Sequence, residues 1–228
     1  MSQLQLLTQD EFSRKVKELE GGHWTPRTIS NRWDYYSRVV ELIKSIAIDD
    51  PAKILEMGTM GISCVDNGHT IDYEEKWAFP GKKPTIVHDA RQLPWPVANK
   101  QYELFIALRV FQHLAPVQGE CVKEAMRIAQ KVILVVPNSY DNAVHPASRG
   151  ITYRDLAEYN GGIHPNLYYT SKMGDLYYFD TEHPSRLDIE AVLKPAPAGT
   201  TIHNTKPSAT APSLYTRVKA KLRTIAKG

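Results

Sequence analysis

The 228 residues are 42% hydrophobic and 23% charged, which is typical of a chain with one buried core and excludes a largely disordered protein. The net charge of +3 is unevenly distributed, because residues 211–228 contain five lysines and arginines and no acid. The rest of the chain therefore carries −2, which argues against nucleic acid as a partner of the body of the protein.

The cysteines and the apolar segments indicate in which cellular compartment the protein is expected. Cys64 and Cys121 have no metal-type spacing and cannot form a disulfide framework, so we expect two reduced thiols in a cytoplasmic protein. Residues 1–20 mix acids and bases, unlike a secretion signal, and apolar runs such as 132–136 are too short to cross a bilayer. Any association with a membrane is therefore expected to be peripheral.

The first fifty residues are predicted to form a helical cover. A short helix is expected over residues 10–20, and Gly21 and Gly22 end it. Apolar residues recur at steps of three and four in a second helix over residues 30–48. The cover is predicted to span residues 1–50.

From residue 51 the pattern changes to short apolar strands separated by loops and helices. A helix is expected over 117–129 and another over 152–159. Strands are expected at 53–57, 69–73, 85–88, 103–108, 131–136, 167–170 and 176–180. Strands alternating with helices predict a parallel sheet, and the Gly174-Asp175 turn predicts a closing hairpin. We therefore predict an α/β domain over 51–182, with a mostly parallel seven-stranded sheet, helices on both faces and an antiparallel strand near its end.

The C-terminal residues are predicted to form a tethered helix. Residues 183–212 are rich in proline and small residues, which indicates a linker. Over 213–228, apolar residues recur at steps of four, four and three among the basic ones. Such a basic amphipathic helix suits an anionic membrane surface or a docking partner. The alternative is a terminal helix that packs on its own domain.

Three acids follow three successive predicted strands. Glu56 ends the first strand before a turn at Gly58, Asp72 ends the second, and Asp89 follows the third. Because open α/β sheets bind ligands at the carboxyl ends of their strands, we expect these acids at one site. A glycine turn lets backbone approach a ligand, Asp72 suits the two hydroxyls of a ribose, and Asp89 with the next backbone N–H suits an adenine.

At these residues the chain resembles the class I S-adenosylmethionine-dependent methyltransferases, over roughly residues 54–138. The resemblance rests on an ordered set of segments: Leu55-Glu56-Met57-Gly58, Thr70-Ile71-Asp72, His88 to Pro94, Tyr102 to Leu114 and Val132 to Asn138. It implies a Rossmann-like methyltransferase fold with S-adenosylmethionine as cofactor. The cofactor-binding residues implied are Glu56, Met57, Gly58, Asp72, Asp89, Ala90 and Leu108.

The resemblance also places an acceptor beside the cofactor. His113, after the fourth strand, is the predicted general base for an acceptor hydroxyl. Arg109 is predicted to attract an anionic substrate. Tyr36, His145 and His164 are further predicted substrate contacts. The reaction predicted is methyl transfer to an oxygen nucleophile.

The chain departs from the usual pattern of this family at two places. Met60 and Ile62 stand where two glycines are usual, and the crossover between Gly61 and His69 is too short for a full helix. A short crossover resembles the subtype that modifies glycans, which implies a cell-surface glycan or its lipid-linked precursor as acceptor and a glycan-assembly complex as partner. Gln112 replaces the glutamate that commonly precedes the histidine, and we predict no metal site.

Each candidate residue also has a structural interpretation. Glu56 is also typical of an acid that caps neighbouring backbone N–H groups, and Asp89 of an acid in a turn. Glu74 and Glu75 are alternative acids for the ribose-binding role given to Asp72. The histidines suit packing or loop positions, Arg109 a solvated loop, and Tyr36 a place in the core.

Three other functions stay open at this point. A small-molecule O- or N-methyltransferase is the nearest alternative. A nicotinamide-dependent oxidoreductase needs Gly-x-Gly-x-x-Gly opening a helix, which the segment from Gly58 to Gly61 does not supply. A degenerate binding module without catalysis would fit the missing glycines.

Overall fold

The computed structural model describes residues 3–19, 24–46, 48–137, 148–171 and 173–185. Their helices are α1 (Gln9–Glu18), α2 (Pro26–Ser45), α3 (Gln118–Ile128) and α4 (Tyr153–Tyr159). Their strands are β1 (Ile54–Met57), β2 (His69–Asp72), β3 (Ile86–Val87), β4 (Tyr102–Leu108), β5 (Ala129–Val136), β6 (Leu167–Ser171) and β7 (Gly174–Asp180).

The strands form one seven-stranded sheet in the order β3-β2-β1-β4-β5-β7-β6. The pairs from β3 to β5 are parallel, and β7 is antiparallel to both β5 and β6. The predicted fold class is therefore confirmed. The closing hairpin is present, but Gly174 and Asp175 lie in β7 and pair with β6, so the predicted position of its turn is wrong. The order reverses between β1 and β4, which places a crevice at the carboxyl ends of these strands.

Alternate residues of the strands pack into two apolar layers. On one face, Ile54, Leu104 and Ile106 pack under α1 and α2. On the other face, Leu55 and Phe105 pack under α3 and α4. Helices therefore cover both faces, as predicted.

The boundaries differ from the predicted ones mainly at the N-terminal cover. Helix α2 begins at Pro26, four residues before the predicted start, because proline is favoured in the first turn of a helix. Within the predicted linker over 183–212, the carbonyl of Ser185 accepts the N–H of His164 at 2.9 Å. Residues 186–212 and the predicted helix at 213–228 lie outside the described residues. Within the part described, no helix is long and apolar enough to cross a membrane.

The N-terminal segment occupies the place of the helix that the short β1–β2 crossover lacks. Leu6 forms an antiparallel bridge with Val65, and the N–H of Leu7 donates to the carbonyl of Cys64 at 2.9 Å. The buried ammonium of Lys15 on α1 is hydrogen-bonded to Asp66. The crossover is thus sandwiched between the sheet and the N-terminal helices.

Glu56 ties this crossover to β1. Its carboxyl group, on a residue that is 2% exposed, accepts the backbone N–H of Cys64 at 2.8 Å and a second from Val65. Burial raises the pKa of Glu56 to about 8 despite these donors. The ionised form therefore costs folding free energy, because the charge has left water.

We expect the free energy of unfolding to decrease as the pH rises from about 4.5, the ordinary pKa, to about 8. In this window the folded state holds a proton that the unfolded state has lost, so the slope approaches −1.4 kcal/mol per pH unit. Urea denaturation at several pH values measures it. In Glu56→Gln the slope should flatten, whereas the exposed control Glu18→Gln should follow the wild type; a wild-type slope of zero contradicts the assignment.

Candidate functional site

A cavity of about 460 Å³ lies at the carboxyl ends of β1 to β4. Among the residues that line it are these sequence candidates: Met57, Gly58, Asp72, Asp89, Ala90, Leu108, Arg109 and His113. They come from four strand ends that the parallel pairing brings to one edge. The structure therefore brings together the predicted site residues that directly follow these strands.

The turn after β1 requires a glycine at position 58. Gly58 has a φ of +64°, and a Cβ there would lie 2.5 Å from Cγ2 of Val110. Its N–H donates to the carbonyl of Ile71 at 3.0 Å, which joins the turn to β2. The backbone thereby opens a space that a larger residue would fill.

Met60 adopts a backbone conformation that is usual for glycine. Its φ is 50°, in the left-handed region, and it lines the cavity. The indole N–H of Trp24 donates to its carbonyl at 2.8 Å. Glycine is the usual residue in this left-handed conformation. At Met60 the hydrogen bond from the N-terminal cover stabilises it instead.

Asp72 presents a desolvated carboxylate at the end of β2. The N–H groups of Thr59 and Tyr73 donate to it, but burial dominates and raises its pKa to about 6. Two hydroxyl donors from a ligand would therefore stabilise its ionised form. Among the competing acids, Glu74 instead forms an ion pair with Lys76.

Asp89 is already engaged by Arg91. The guanidinium donates to both carboxylate oxygens, with Nη2 at 2.8 Å from Oδ2, and the Arg91 side chain lowers the pKa of Asp89. The carbonyl of Ala90 accepts from the indole of Trp95, which holds this segment against the core. The Ala90 N–H has no hydrogen-bond partner within the described residues, so it remains available to a ligand acceptor.

His113 lies in a single 3₁₀ turn after β4, and both of its ring nitrogens are in contact with polar groups. Nδ1 is 2.7 Å from Oγ of Ser148, and Nε2 is 3.0 Å from Nε2 of Gln112. An amide nitrogen only donates, so Nε2 accepts and the neutral ring carries its proton on Nδ1. Gln112 also donates to the carbonyl of Arg109, which ties His113 to the end of β4.

Three predicted site residues are placed away from the cavity. Glu56 binds the crossover, and the Tyr36 hydroxyl donates to the carbonyl of Ile62 at 3.1 Å inside the core. His164 is buried, with Nδ1 3.0 Å from the hydroxyl of Tyr153. None of the three lines the cavity, because local hydrogen bonds and packing hold them elsewhere. His145 lies outside the described residues.

Arg32 and Gln112 line the cavity but were not among the sequence candidates. Arg32 lies on α2, and its position at the cavity depends on how that helix packs over the sheet, which the sequence does not show. The sequence indicated Gln112 only in part, as a polar residue that lies beside His113 after a buried strand.

Comparisons with known proteins support the fold alone. No protein-family model and no curated protein matches the chain. The solved structure of magnesium protoporphyrin IX methyltransferase from Synechocystis PCC 6803 with SAH bound is 13% identical, with 75% of this chain and 96% of that chain covered and a TM-score of 0.50. WbdD is 14% identical, with 78% of this chain and 50% of that chain covered and a TM-score of 0.50. The chain therefore has the fold of class I methyltransferases.

Gly58→Ala should destabilise the protein more than Gly161→Ala. Both glycines have a φ of +64°, but only at Gly58 does the added Cβ meet a neighbour. Left-handed strain costs about 1–2 kcal/mol at either site, and overpacking adds about 1–3 kcal/mol at Gly58. Chemical denaturation measures both.

The double variant Gly58→Ala with Val110→Ala tests the cause. We expect it to recover much of the difference, because Cγ2 of Val110 is the atom that a Cβ would meet. Equal destabilisation in the two single variants contradicts this assignment.

Proposed function

We propose that the protein is an S-adenosylmethionine-dependent methyltransferase. The observation that carries this proposal is the Asp72 carboxylate, buried beside the Gly58 turn at the carboxyl edge of a sheet with the methyltransferase fold. The residues present fit the cofactor. Gly58 leaves room that a Cβ would close, Asp72 suits the ribose hydroxyls, and the Ala90 N–H suits an adenine ring nitrogen.

The sulfonium of the cofactor supplies an activated methyl group, so the protein has to align the nucleophile and remove a proton. Asp72, Asp89, Ala90 and the turn at Gly58 would orient the cofactor from the strand ends. Met57 and Leu108 line the cavity with apolar surface. This surface limits the access of water to the reacting atoms.

His113 is proposed as the group that accepts the proton. Its Nε2 faces the Gln112 amide, and its Nδ1 proton is held by Ser148. An acceptor hydroxyl would take the place of the Gln112 N–H at Nε2, while Gln112 keeps its bond to the Arg109 carbonyl. The ring is thereby held in the tautomer that a base at Nε2 needs.

We further propose a sugar hydroxyl of a glycan, or of its lipid-linked precursor, as the methyl acceptor. Tyr168 is 46% exposed, and its ring stacks on Tyr177 at 5.2 Å between centroids. Its hydroxyl donates to Asp175, which pairs with Val136 at the carboxyl end of β5. A fixed, exposed aromatic ring on the edge strand β6 suits the apolar face of a sugar. Mass spectrometry of candidate glycans for a gain of one methyl group tests this acceptor class.

The placement of the protein in the cell follows as a further part of the proposal. A lipid-linked acceptor would be met at the cytoplasmic face of a membrane, where the basic residues of 211–228 suit anionic lipids or a glycan-assembly complex. Deletion of 211–228 is expected to weaken binding to anionic vesicles and to leave cofactor binding intact. Unchanged vesicle binding contradicts the membrane role.

A binding module without catalysis is the second candidate function. The observation in its favour is that both ring nitrogens of His113 are already in polar contact. Calorimetry with S-adenosylmethionine and NAD, followed by turnover assays, separates the candidates. Binding of S-adenosylmethionine with turnover supports the methyltransferase, whereas binding without turnover on any acceptor supports the module.

The affinity for S-adenosylhomocysteine (SAH) should increase with pH up to about pH 6 and then level off. Free Asp72 has a pKa of about 6, and only its ionised form accepts two hydroxyl donors. Asp72→Asn should weaken binding at least tenfold and remove this dependence, since each lost charge-assisted hydrogen bond costs about 1.5–3 kcal/mol. Calorimetry between pH 5 and pH 8 measures both effects. The control Glu74→Gln, next along the same loop, should bind like the wild type; a tenfold loss there instead would reassign the ribose acid.

His113→Ala should lower kcat by about 10²–10⁴ and change the dissociation constant of SAH less than twofold, because general-base catalysis contributes about that factor. Single-turnover kinetics with calorimetry separates the two effects. Ser148→Ala, which removes the oxygen 2.7 Å from Nδ1, should lower kcat less. An unchanged kcat in His113→Ala would remove this residue from the mechanism.

A further inference from the structure

Two arginines from distant parts of the chain line the same cavity. Arg32 comes from α2 and Arg109 follows β4, and both are half-buried. We propose that they form an anion subsite that binds a carboxylate or phosphate group of the methyl acceptor. The inference rests on the proposed function for the identity of the acceptor, but the subsite itself is testable without it.

Arg32 is held in place by aromatic residues of the N-terminal cover. Its guanidinium lies 4.6 Å from the ring centroid of Trp24 and is hydrogen-bonded to the buried hydroxyl of Tyr35. Stacking and a directional bond restrict the side chain before any ligand arrives. Such preorganisation lowers the entropy cost of binding an anion.

Arg109 is held through its backbone. Its φ is 60°, a left-handed value, and its N–H donates to the carbonyl of Val135 at 2.7 Å. Its own carbonyl accepts from Gln112. These bonds maintain a conformation that arginine disfavours, and residues in such conformations often occur where a ligand binds.

Both arginine side chains line one cavity of about 460 Å³. Burial raises the pKa of Tyr35 to about 12, while the charges of Arg32 and Arg109 both oppose that rise. Both guanidinium groups therefore lie within electrostatic reach of one hydroxyl.

The cavity also contains two acids. Asp89 forms a bidentate ion pair with Arg91, and Asp72 is proposed to bind the cofactor. The guanidinium groups of Arg32 and Arg109 are complementary to the anionic group of an acidic sugar or a sugar phosphate. The other possible source of the anion is the methionine carboxylate of the cofactor itself.

Calorimetry with inorganic phosphate at constant ionic strength tests the subsite. Phosphate is titrated into the full chain, alone and saturated with SAH, for the wild type, Arg32→Gln, Arg109→Gln and the control Arg38→Gln, on the same helix and paired with Asp34. We expect each of the first two variants to weaken phosphate binding at least tenfold and the control to leave it within twofold. No phosphate binding by the wild type, or equal binding by all four proteins, overturns the proposal.

A second titration distinguishes the two sources of the anion. SAH carries the carboxylate, and 5′-methylthioadenosine lacks it. If both arginines serve the acceptor, their glutamine variants bind SAH as the wild type does. If the variants lose SAH affinity but keep that for 5′-methylthioadenosine, the arginines hold the cofactor and the acceptor subsite is overturned.

Two further results keep the outcomes separate. If the wild type binds phosphate but not SAH, the proposed function fails while the anion subsite stands. If a glutamine variant is unfolded by circular dichroism, Arg32→Lys and Arg109→Lys replace the glutamine variants. They should bind phosphate three- to tenfold more weakly than the wild type, because the charge remains and the planar fork is lost. Unchanged phosphate binding in both lysine variants then overturns the proposal.

Discussion

The Glu56 carboxyl group accepts the backbone N–H groups of Cys64 and Val65, and it does so where the sheet, the short crossover and the N-terminal helices meet. Without these bonds the crossover would have buried donors and no helix of its own to satisfy them. Ionisation of the group is costly in this place, so burial raises its pKa to about 8 and the folded protein keeps the proton at neutral pH. The same bonds let the apolar side chains of the crossover pack beneath the N-terminal cover.

The cavity depends on that arrangement. Because the crossover is short, α2 and the residues before it lie close enough to the strand ends to contribute to the site: the Trp24 indole donates to the carbonyl of Met60, and Arg32 lines the cavity wall. A longer crossover helix would occupy this face. The N-terminal residues therefore act as part of the binding surface as well as a cover, and the departures from the usual glycine pattern are compensated from outside the turn.

The sequence predicted the sheet and the cavity-lining positions well, because parallel strands bring their carboxyl ends to one edge whatever the details of packing. Gly58, Asp72, Asp89 and His113 follow from that rule. For Glu56, Tyr36 and His164 the same rule did not decide between a site position and the structural interpretation that was also open; the structure bonds Glu56 to Cys64 and buries Tyr36 and His164. Those outcomes depend on contacts between residues far apart in sequence. Periodicity reports which face of an element is apolar but not which neighbour satisfies a polar atom on it.

The pairing of Leu6 with Val65 and of Lys15 with Asp66 has a consequence for synthesis on the ribosome. The first two helices are translated before the crossover and the strands that they cover, so while the chain grows their apolar faces can pack only on each other. Contacts this distant in sequence form late and slow the assembly of a domain. Until β4 has been translated, Phe12 and Tyr36 contact each other but lack the strand side chains of the core they share in the folded protein.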